Sequence, residues 1–239
     1  MTGFTLGVKP RGTRLSPPVE LLESLEKEGY SYVLIGGYAV SASNPRFSTD
    51  LDVVVAPEDE DALRGFLEER SFELERRHTN EDWFYDREVE EYRKEVDGLP
   101  IGFDLLVNGL GCRQTDAEWS FDYMRENSSR REVMAGTRST TARVADPEVL
   151  LVAKLHSGRE TDLRDATALV GDIDDLEKVT EHLDRGNEDA LREQLERGVE
   201  ILEGEDLKQG YKSDFGEASV PEGSVEELKQ YILEQVERL

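Results

Sequence analysis

Apolar positions along this chain follow two periods, and the change from one to the other divides it. Leu21, Leu22 and Leu25 share one face of a helix that stops near Gly29, with Ser16 as its N-cap and Pro17 at the first position. The run Ser31 to Ile35 is bounded by glycines and mostly apolar, which predicts a buried strand. Gly36-Gly37 opens a short helix, Tyr38 to Ser43, which Asn44-Pro45 ends. Asp50 to Ala56 predicts a second strand, and Pro57 starts a helix through Glu69. Weaker patterns predict strands over Phe72 to Arg77 and Trp83 to Tyr85. Residues 87–96 fit a helix or a strand; the turn-like Asp97-Gly98-Leu99-Pro100 before Ile101 to Val107 favours the strand. Asp116 to Asn127 predicts a helix, and Arg131 to Ala135 and Ser139 to Val144 predict strands.

From Asp146-Pro147, an N-cap followed by Pro at the first helical position, the pattern turns to helices only. They are expected over residues 147–156, 160–170, 174–184, 187–203 and 225–238. The last opens on Ser224-Val225-Glu226-Glu227, a capping box, and carries Val225, Leu228, Tyr231, Ile232 and Val236 at helical spacing. Residues 204–223, with four glycines and a proline, predict a loop. The expected fold class is therefore α+β, with an α/β part over residues 1–145 and a helical part over 146–239.

Composition narrows the setting. The 239 residues are enough to bury a sizeable core. No apolar run approaches the roughly 18 residues that span a bilayer, and residues 1–10 hold no apolar stretch of a secretory signal. A cytoplasmic protein without a membrane partner is the expectation. The single cysteine, Cys112, excludes an intramolecular disulfide and a cysteine-based zinc site. The formal net charge is -25, from 54 acidic and 29 basic residues, and 21 of the bases are Arg. With aromatic residues and clear periodicity present, this acidity fits a protein adapted to high salt, where self-repulsion is screened. A halophilic setting predicts loss of stability in dilute buffer without salt or divalent ions.

The charge is uneven. Residues 171–239 hold 21 acids against 8 bases. Residues 123–145 run the other way, with Arg125, Arg130, Arg131, Arg138 and Arg143 against Glu126 and Glu132. That segment either pairs with the acidic helical part or faces a phosphate-bearing partner. Residues 1–15 carry Lys9, Arg11 and Arg14 and no acid, as expected of an arm.

Three acids stand apart from the solvated ones. Asp50 and Asp52 begin a strand and, at i and i+2, share one face about 6.6 Å apart along the chain. Asp104 is a lone acid in the apolar run Phe103 to Val107. Carboxylates inside apolar strands need partners, and three together make an oxygen-rich site suited to Mg2+. Asp59-Glu60-Asp61 and Asp172-Ile173-Asp174 share the spacing but lie in acid-rich, helix-like surroundings. Gly36-Gly37 lies between a strand and a helix, with twelve residues between Gly37 and Asp50, and a glycine turn there lets phosphate oxygens approach the backbone. No GxxxxGK[ST] or GxGxxG occurs. His78, His156 and His182 lack metal-ligand spacing and are expected on helix faces or loops. Gly109-Leu110-Gly111 predicts a turn, and Trp83, Tyr85 and Trp119 fit stacking on a base but are better explained by core packing or an interdomain contact.

Gly36-Gly37, the helix, and then Arg46-Phe47-Ser48-Thr49-Asp50-Leu51-Asp52-Val53 resemble the DNA polymerase β-like nucleotidyltransferase superfamily over residues 30–108, with Asp104 as its third acid. Asp146-Pro147-Glu148 through Lys154, Gly158-Arg159 and Asp162-Leu163-Arg164-Asp165 resemble the abortive-infection AbiE toxin-type members, with Thr161 where those carry Lys. Asp162 and Asp165 share a helix face within reach of Lys154. The same three residues also fit a salt-bridge cluster between the two parts.

The resemblance implies a small mixed or antiparallel sheet flanked by helices, followed by a helical bundle. It implies transfer of an NMP from an NTP to a hydroxyl of tRNA or of a protein, as the toxin of a toxin–antitoxin pair. Asp50, Asp52 and Asp104 would be the catalytic residues and hold two Mg2+, with Asp104 also accepting the proton. Gly36, Gly37, Arg46, Ser48, Thr49, Lys154, Asp162 and Asp165 would bind the nucleotide. An aminoglycoside- or lincosamide-type adenylyltransferase shares this layout, and a non-catalytic nucleotide-binding module is a third reading.

Overall fold

The computed structural model describes residues 17–46, 48–79, 88–135, 138–216 and 219–239. The expected arm, the Ser16 cap, Phe47 and the Trp83 to Tyr85 strand lie outside them. Helix α1 (Pro17–Glu28) buries Val19, Leu21, Leu22 and Leu25, the stripe its sequence sets. It packs on the edge of a seven-stranded sheet of order β3-β4-β5-β2-β1-β9-β8. The strands are β1 (Tyr32–Ile35), β2 (Asp50–Val55), β3 (Glu73–Thr79), β4 (Glu88–Val96), β5 (Leu99–Val107), β8 (Ser128–Ala135) and β9 (Arg138–Ala145). Only β1–β9 and β2–β5 pair in parallel, so the sheet is mixed and mostly antiparallel. Tyr32 to Ile35 are all buried, and so are Leu51, Val53, Val54 and Val55; this explains the unbroken apolar runs of the central strands.

Helix α2 (Gly36–Val40) follows β1 directly, so the glycine pair forms its first turn instead of preceding it. Pro57–Asp59 is a 3-10 turn into α3 (Glu60–Glu69). Residues 88–96 are a strand, as the following turn predicts. Two expectations fail just after β5. Gly109–Cys112 is not a turn but strand β6, and it pairs with β7 (Ala117–Ser120) in a separate hairpin. The helix expected from Asp116 is only α4 (Phe121–Glu126), capped by the Ser120 side chain. Ala117 and Trp119 alternate with half-exposed Glu118 and Ser120, a two-residue period hidden in a short segment.

After β9 only helices follow: α5 (Pro147–Ser157), α6 (Glu160–Val170), α7 (Leu176–Leu183), α8 (Glu188–Glu203), α9 (Glu205–Asp214) and α10 (Glu222–Arg238). Helix α9 occupies the expected loop. Its glycine at 210 is a packing glycine, because a Cβ there would collide with the guanidinium of Arg164, which reaches Asp214 at 2.6 Å. Helix α10 starts at Glu222 with Pro221 before it, so Ser224 lies inside the helix and its capping box does not form. Leu228, Tyr231 and Ile232 are buried, as their spacing predicts. None of the described helices is long and apolar enough to cross a membrane.

Among the described residues, no ion pair joins the arginine-rich segment to the acidic helical part. Arg138 bonds Glu20 at 2.9 Å, and Arg130 pairs with Glu26, both on α1. Arg131 bonds Ser43 at 3.0 Å. The β8–β9 hairpin, which carries these arginines, packs mainly against α1 and α2.

Candidate active site

Strand register creates the site. Asp52 and Asp104 are direct partners across the parallel β2–β5 pair, and Asp52 also partners Ile35 across β1. Asp50 partners Gly102. Asp104, far from Asp50 and Asp52 in sequence, therefore joins them at one end of the sheet, next to the turn from β1 into α2. Two glycines clear the space they need. Gly36 has φ +65, and a Cβ there would collide with the Asp52 carboxylate. A Cβ at Gly102 would collide with the Asp50 carboxylate and stand 2.7 Å from Nη1 of Arg93. On the next strand, Arg93 partners Gly102, runs across it and donates to Asp104 Oδ1 at 2.7 Å.

Burial pushes the Asp52 carboxyl up to about 7, helped by the neighbouring charges of Asp104 and Asp50 against Lys154. Burial and Asp50 also raise Asp104, while Arg93 offsets part of this. The group of three is thus short of positive charge: Lys154 and Arg159 act on Asp52 only through space, and among the described residues the ion pair made to the group is that of Arg93 with Asp104.

A second cluster faces the first across the cleft. Lys154 of α5 bonds Asp162 and Asp165 of α6, each at 2.8 Å, so the i,i+3 spacing does put both acids on the face that Lys154 reaches. Ser157 Oγ at 2.7 Å and Arg159 Nε at 2.5 Å complete the shell of Asp162. Arg46 reaches over from the loop before β2 to pair with Asp165. Burial alone would raise Asp162, but Lys154 and Arg159 outweigh it and hold the carboxyl down at about 2. Burial alone would lower Lys154, and Asp165 and Asp162 outweigh that to raise it. Lys154 is 12% exposed and charge-balanced by its two acids; Arg159 is 68% exposed on the same wall.

A cleft of about 440 Å³ joins the two clusters, within the size range of small-molecule sites. Gly36, Asp52, Asp104, Lys154 and Asp162 all line it. Asp50, Gly37, Arg46, Ser48, Thr49 and Asp165 do not. Gly37 packs beside Ser48 Oγ and the Arg46 guanidinium, where a Cβ would stand 2.9 Å and 3.3 Å from them. Thr49 extends the β2–β5 pairing by accepting from Gly102 N at 3.1 Å. The cleft lining is also apolar in part, with Leu110, Met124, Val149, Leu150 and Trp119. The Trp119 Nε1–H is buried without a hydrogen-bond partner.

Sequence reasoning gave no site role to Arg93, which holds Asp104, or to Arg159, which lines the cleft. Arg93 sits in a charged stretch typical of a solvated strand, and only register aims it at Asp104. Arg159 stands three residues before Asp162, a spacing that does signal the pair. The histidines split differently from expectation. His78 is on β3, while His156 is buried on α5, bonded to Thr115 Oγ1 at 2.6 Å and packed edge-on to Trp119. Burial holds His156 down at about 4.

The donors present suit Mg2+ in kind: hard carboxylate oxygens, excess negative charge, and two glycines that leave room at the acids. Their side chains are not gathered on one point, since among the described residues no three His, Cys, Asp or Glu groups are placed to hold an ion together. Arg93 accounts for part of this by holding Asp104.

No protein-family model matches the chain, and no curated protein matches its sequence. Three solved structures are similar in chain path. A candidate nucleotidyltransferase from H. pylori is 18% identical at TM-score 0.42, over 94% of this chain and 97% of its own. The antibiotic-resistance factor ANT(2'')-Ia is 12% identical at TM-score 0.45, over 69% and 85%. The lincosamide antibiotic adenylyltransferase LnuA, solved with lincomycin bound, is 17% identical at TM-score 0.43, over 65% and 96%. At such identities the likeness concerns the fold; the chemistry rests on this chain's own residues.

Proposed function

We propose that the chain is a metal-dependent nucleotidyltransferase, moving an NMP from an NTP to a hydroxyl acceptor with release of pyrophosphate. The observation that carries this is the side-by-side placement of Asp52 and Asp104 on parallel strands at a glycine turn that leaves no room for a Cβ. Asp50, Asp52 and Asp104 would hold Mg2+, which when bound neutralises the triphosphate and lowers the pKa of the acceptor hydroxyl. Asp104 takes the hydroxyl proton, once Arg93 releases it. Gly36, on the cleft wall, lets phosphate oxygens approach the backbone, and Gly37 lets Ser48 and Arg46 pack close behind it. Arg159, the more accessible cation of the cleft wall, faces the triphosphate. Lys154, Asp162, Asp165 and Arg46 keep that wall rigid, so that positioning and charge are fixed before the substrate arrives.

The acceptor we assign is tRNA or a protein, and the role the toxin of a toxin–antitoxin pair. The Lys154–Asp162–Asp165 arrangement supports this by the resemblance it carries. Residues 1–145 would form the catalytic domain and 146–239 the helical one. A small-molecule acceptor is the second reading, favoured by the apolar part of the cleft lining and the unpartnered Trp119 Nε1–H.

The test is incubation of the protein with α-labelled NTPs, Mg2+ and total cellular RNA and protein, in parallel with aminoglycosides and lincosamides. We expect label in a macromolecule and a loss of about 1000-fold or more in Asp52→Ala. Label on a drug instead selects the second reading. No transfer to any acceptor, or full activity in Asp52→Ala, sinks the proposal.

A further inference from the structure

A second polar pocket lies at the other end of β1. Ile35, at the end near the acids, partners Asp52, whereas Tyr32 at the opposite end partners Val55. Beside Tyr32 is a cavity of about 200 Å³ lined by Glu26, Tyr30, Tyr32, Arg125, Arg130 and Arg143, together with Gly29 and Ser31.

Three guanidinium groups meet there. Arg130 and Arg143 are direct register partners on β8 and β9, and like charges so opposed repel. Arg125 joins them from the last turn of α4. Burial, then Arg125 and Arg130, hold Arg143 below its ordinary value, with Glu26 and Asp146 in opposition. The lining offers one carboxylate. Glu26 pairs with Arg130 and accepts the Tyr32 hydroxyl at 2.7 Å. Among the described residues, Arg143 Nη1 donates to Ser128, to its carbonyl at 3.1 Å and its Oγ at 3.3 Å, and has no ion pair. Among the described residues Arg125 has no ion pair. In a chain with 54 acids to 29 bases, three Arg around one Glu is a concentration of unbalanced positive charge.

We propose that Arg125, Arg130 and Arg143 form a phosphate-binding site, separate from the cleft and independent of the transfer chemistry assigned to it. Arg presents planar donors that match phosphate oxygens, and three of them around one pocket bind a dianion from several sides. The cavity admits a phosphate group with a small substituent, and the Tyr30 side chain borders it. The phosphate comes either free or as part of a nucleic acid strand.

The experiment is calorimetric titration of the intact protein with inorganic phosphate at low ionic strength, against NaCl of equal ionic strength. We expect saturable phosphate binding that chloride does not reproduce. Losing one charge-assisted hydrogen bond weakens binding by about tenfold or more, so Arg143→Gln and Arg125→Gln each show that loss. Arg125 is exposed, so its variant keeps the test sound if Arg143→Gln fails to fold. A short single-stranded RNA that displaces phosphate assigns the site to phosphodiesters; one that does not assigns it to free phosphate. Equal phosphate affinity in wild type and Arg125→Gln, or binding that chloride matches, overturns the site.

Discussion

The two acidic clusters that face each other across the cleft use the same side chain to opposite ends. Asp162 and Asp165 are nearly inaccessible, yet the chain itself supplies them with Lys154, Arg159, Arg46 and Ser157. Among the described residues, Asp50, Asp52 and Asp104 receive one ion pair, from Arg93 to Asp104. One cluster holds a carboxyl down at about 2, the other pushes one up to about 7. A carboxylate whose countercharge is built in serves the architecture. One whose countercharge is left out costs stability in the empty protein and keeps its affinity for a cation that arrives from outside.

The largest test of this contrast is Lys154→Ala. It strands two buried carboxylates, and breaking a buried pair costs about 3–5 kcal/mol. Urea unfolding at pH 7 measures it, and a loss under 1 kcal/mol would show that the cluster is not held by its ion pairs.

Asp52→Asn should act in the opposite direction. The folded carboxyl titrates at about 7, above the ordinary unfolded value of about 4. The ionised form therefore penalises folding. The penalty is absent below the unfolded value, grows as pH rises and is complete above about 7. Without metal, the substitution should stabilise by roughly 1–3 kcal/mol at pH 8 and by almost nothing at pH 4. Thermal unfolding in EDTA at both pH values checks this; destabilisation at pH 8 would refute it.

Arg93→Ala removes the chain's own cation from Asp104. We expect Mn2+ to bind about tenfold more tightly, about 1.4 kcal/mol, as read from free Mn2+ by electron paramagnetic resonance. Weaker binding in the variant would mean that Arg93 orders the acids for the ion instead of competing with it. The smallest effect belongs to a pair outside both clusters. Arg238 meets Asp184 at 2.9 Å on the surface, and Arg238→Ala should change stability by about 0.5 kcal/mol or less.

The parts of this contrast that sequence carries are local. Asp50-Leu51-Asp52 at the head of an apolar run, the glycine pair, and the i,i+3 acids with Lys154 all declare themselves by spacing, because a strand or helix turns spacing into a shared face. The β6–β7 hairpin and α9 do not. The first is built from two four-residue strands with glycines at 109 and 111, too short for a period to show. In α9 the glycine at 210 looks like a breaker until Arg164 is seen to need its space. Gly102 and Arg93 are silent for the same reason: their meaning lies in which residues stand opposite.

By itself, the sequence determined the α+β succession, the buried central strands and the three unusual acids, since burial and periodicity act along the chain. The tertiary structure decided which charges are satisfied. Pairing β2 with β5 set Asp52 beside Asp104, pairing β4 with β5 aimed Arg93 at them, and the packing of α5 on α6 enclosed Lys154 with its acids. Charge balance depends on distances between segments far apart in sequence, and those distances exist only once the strands have found their register.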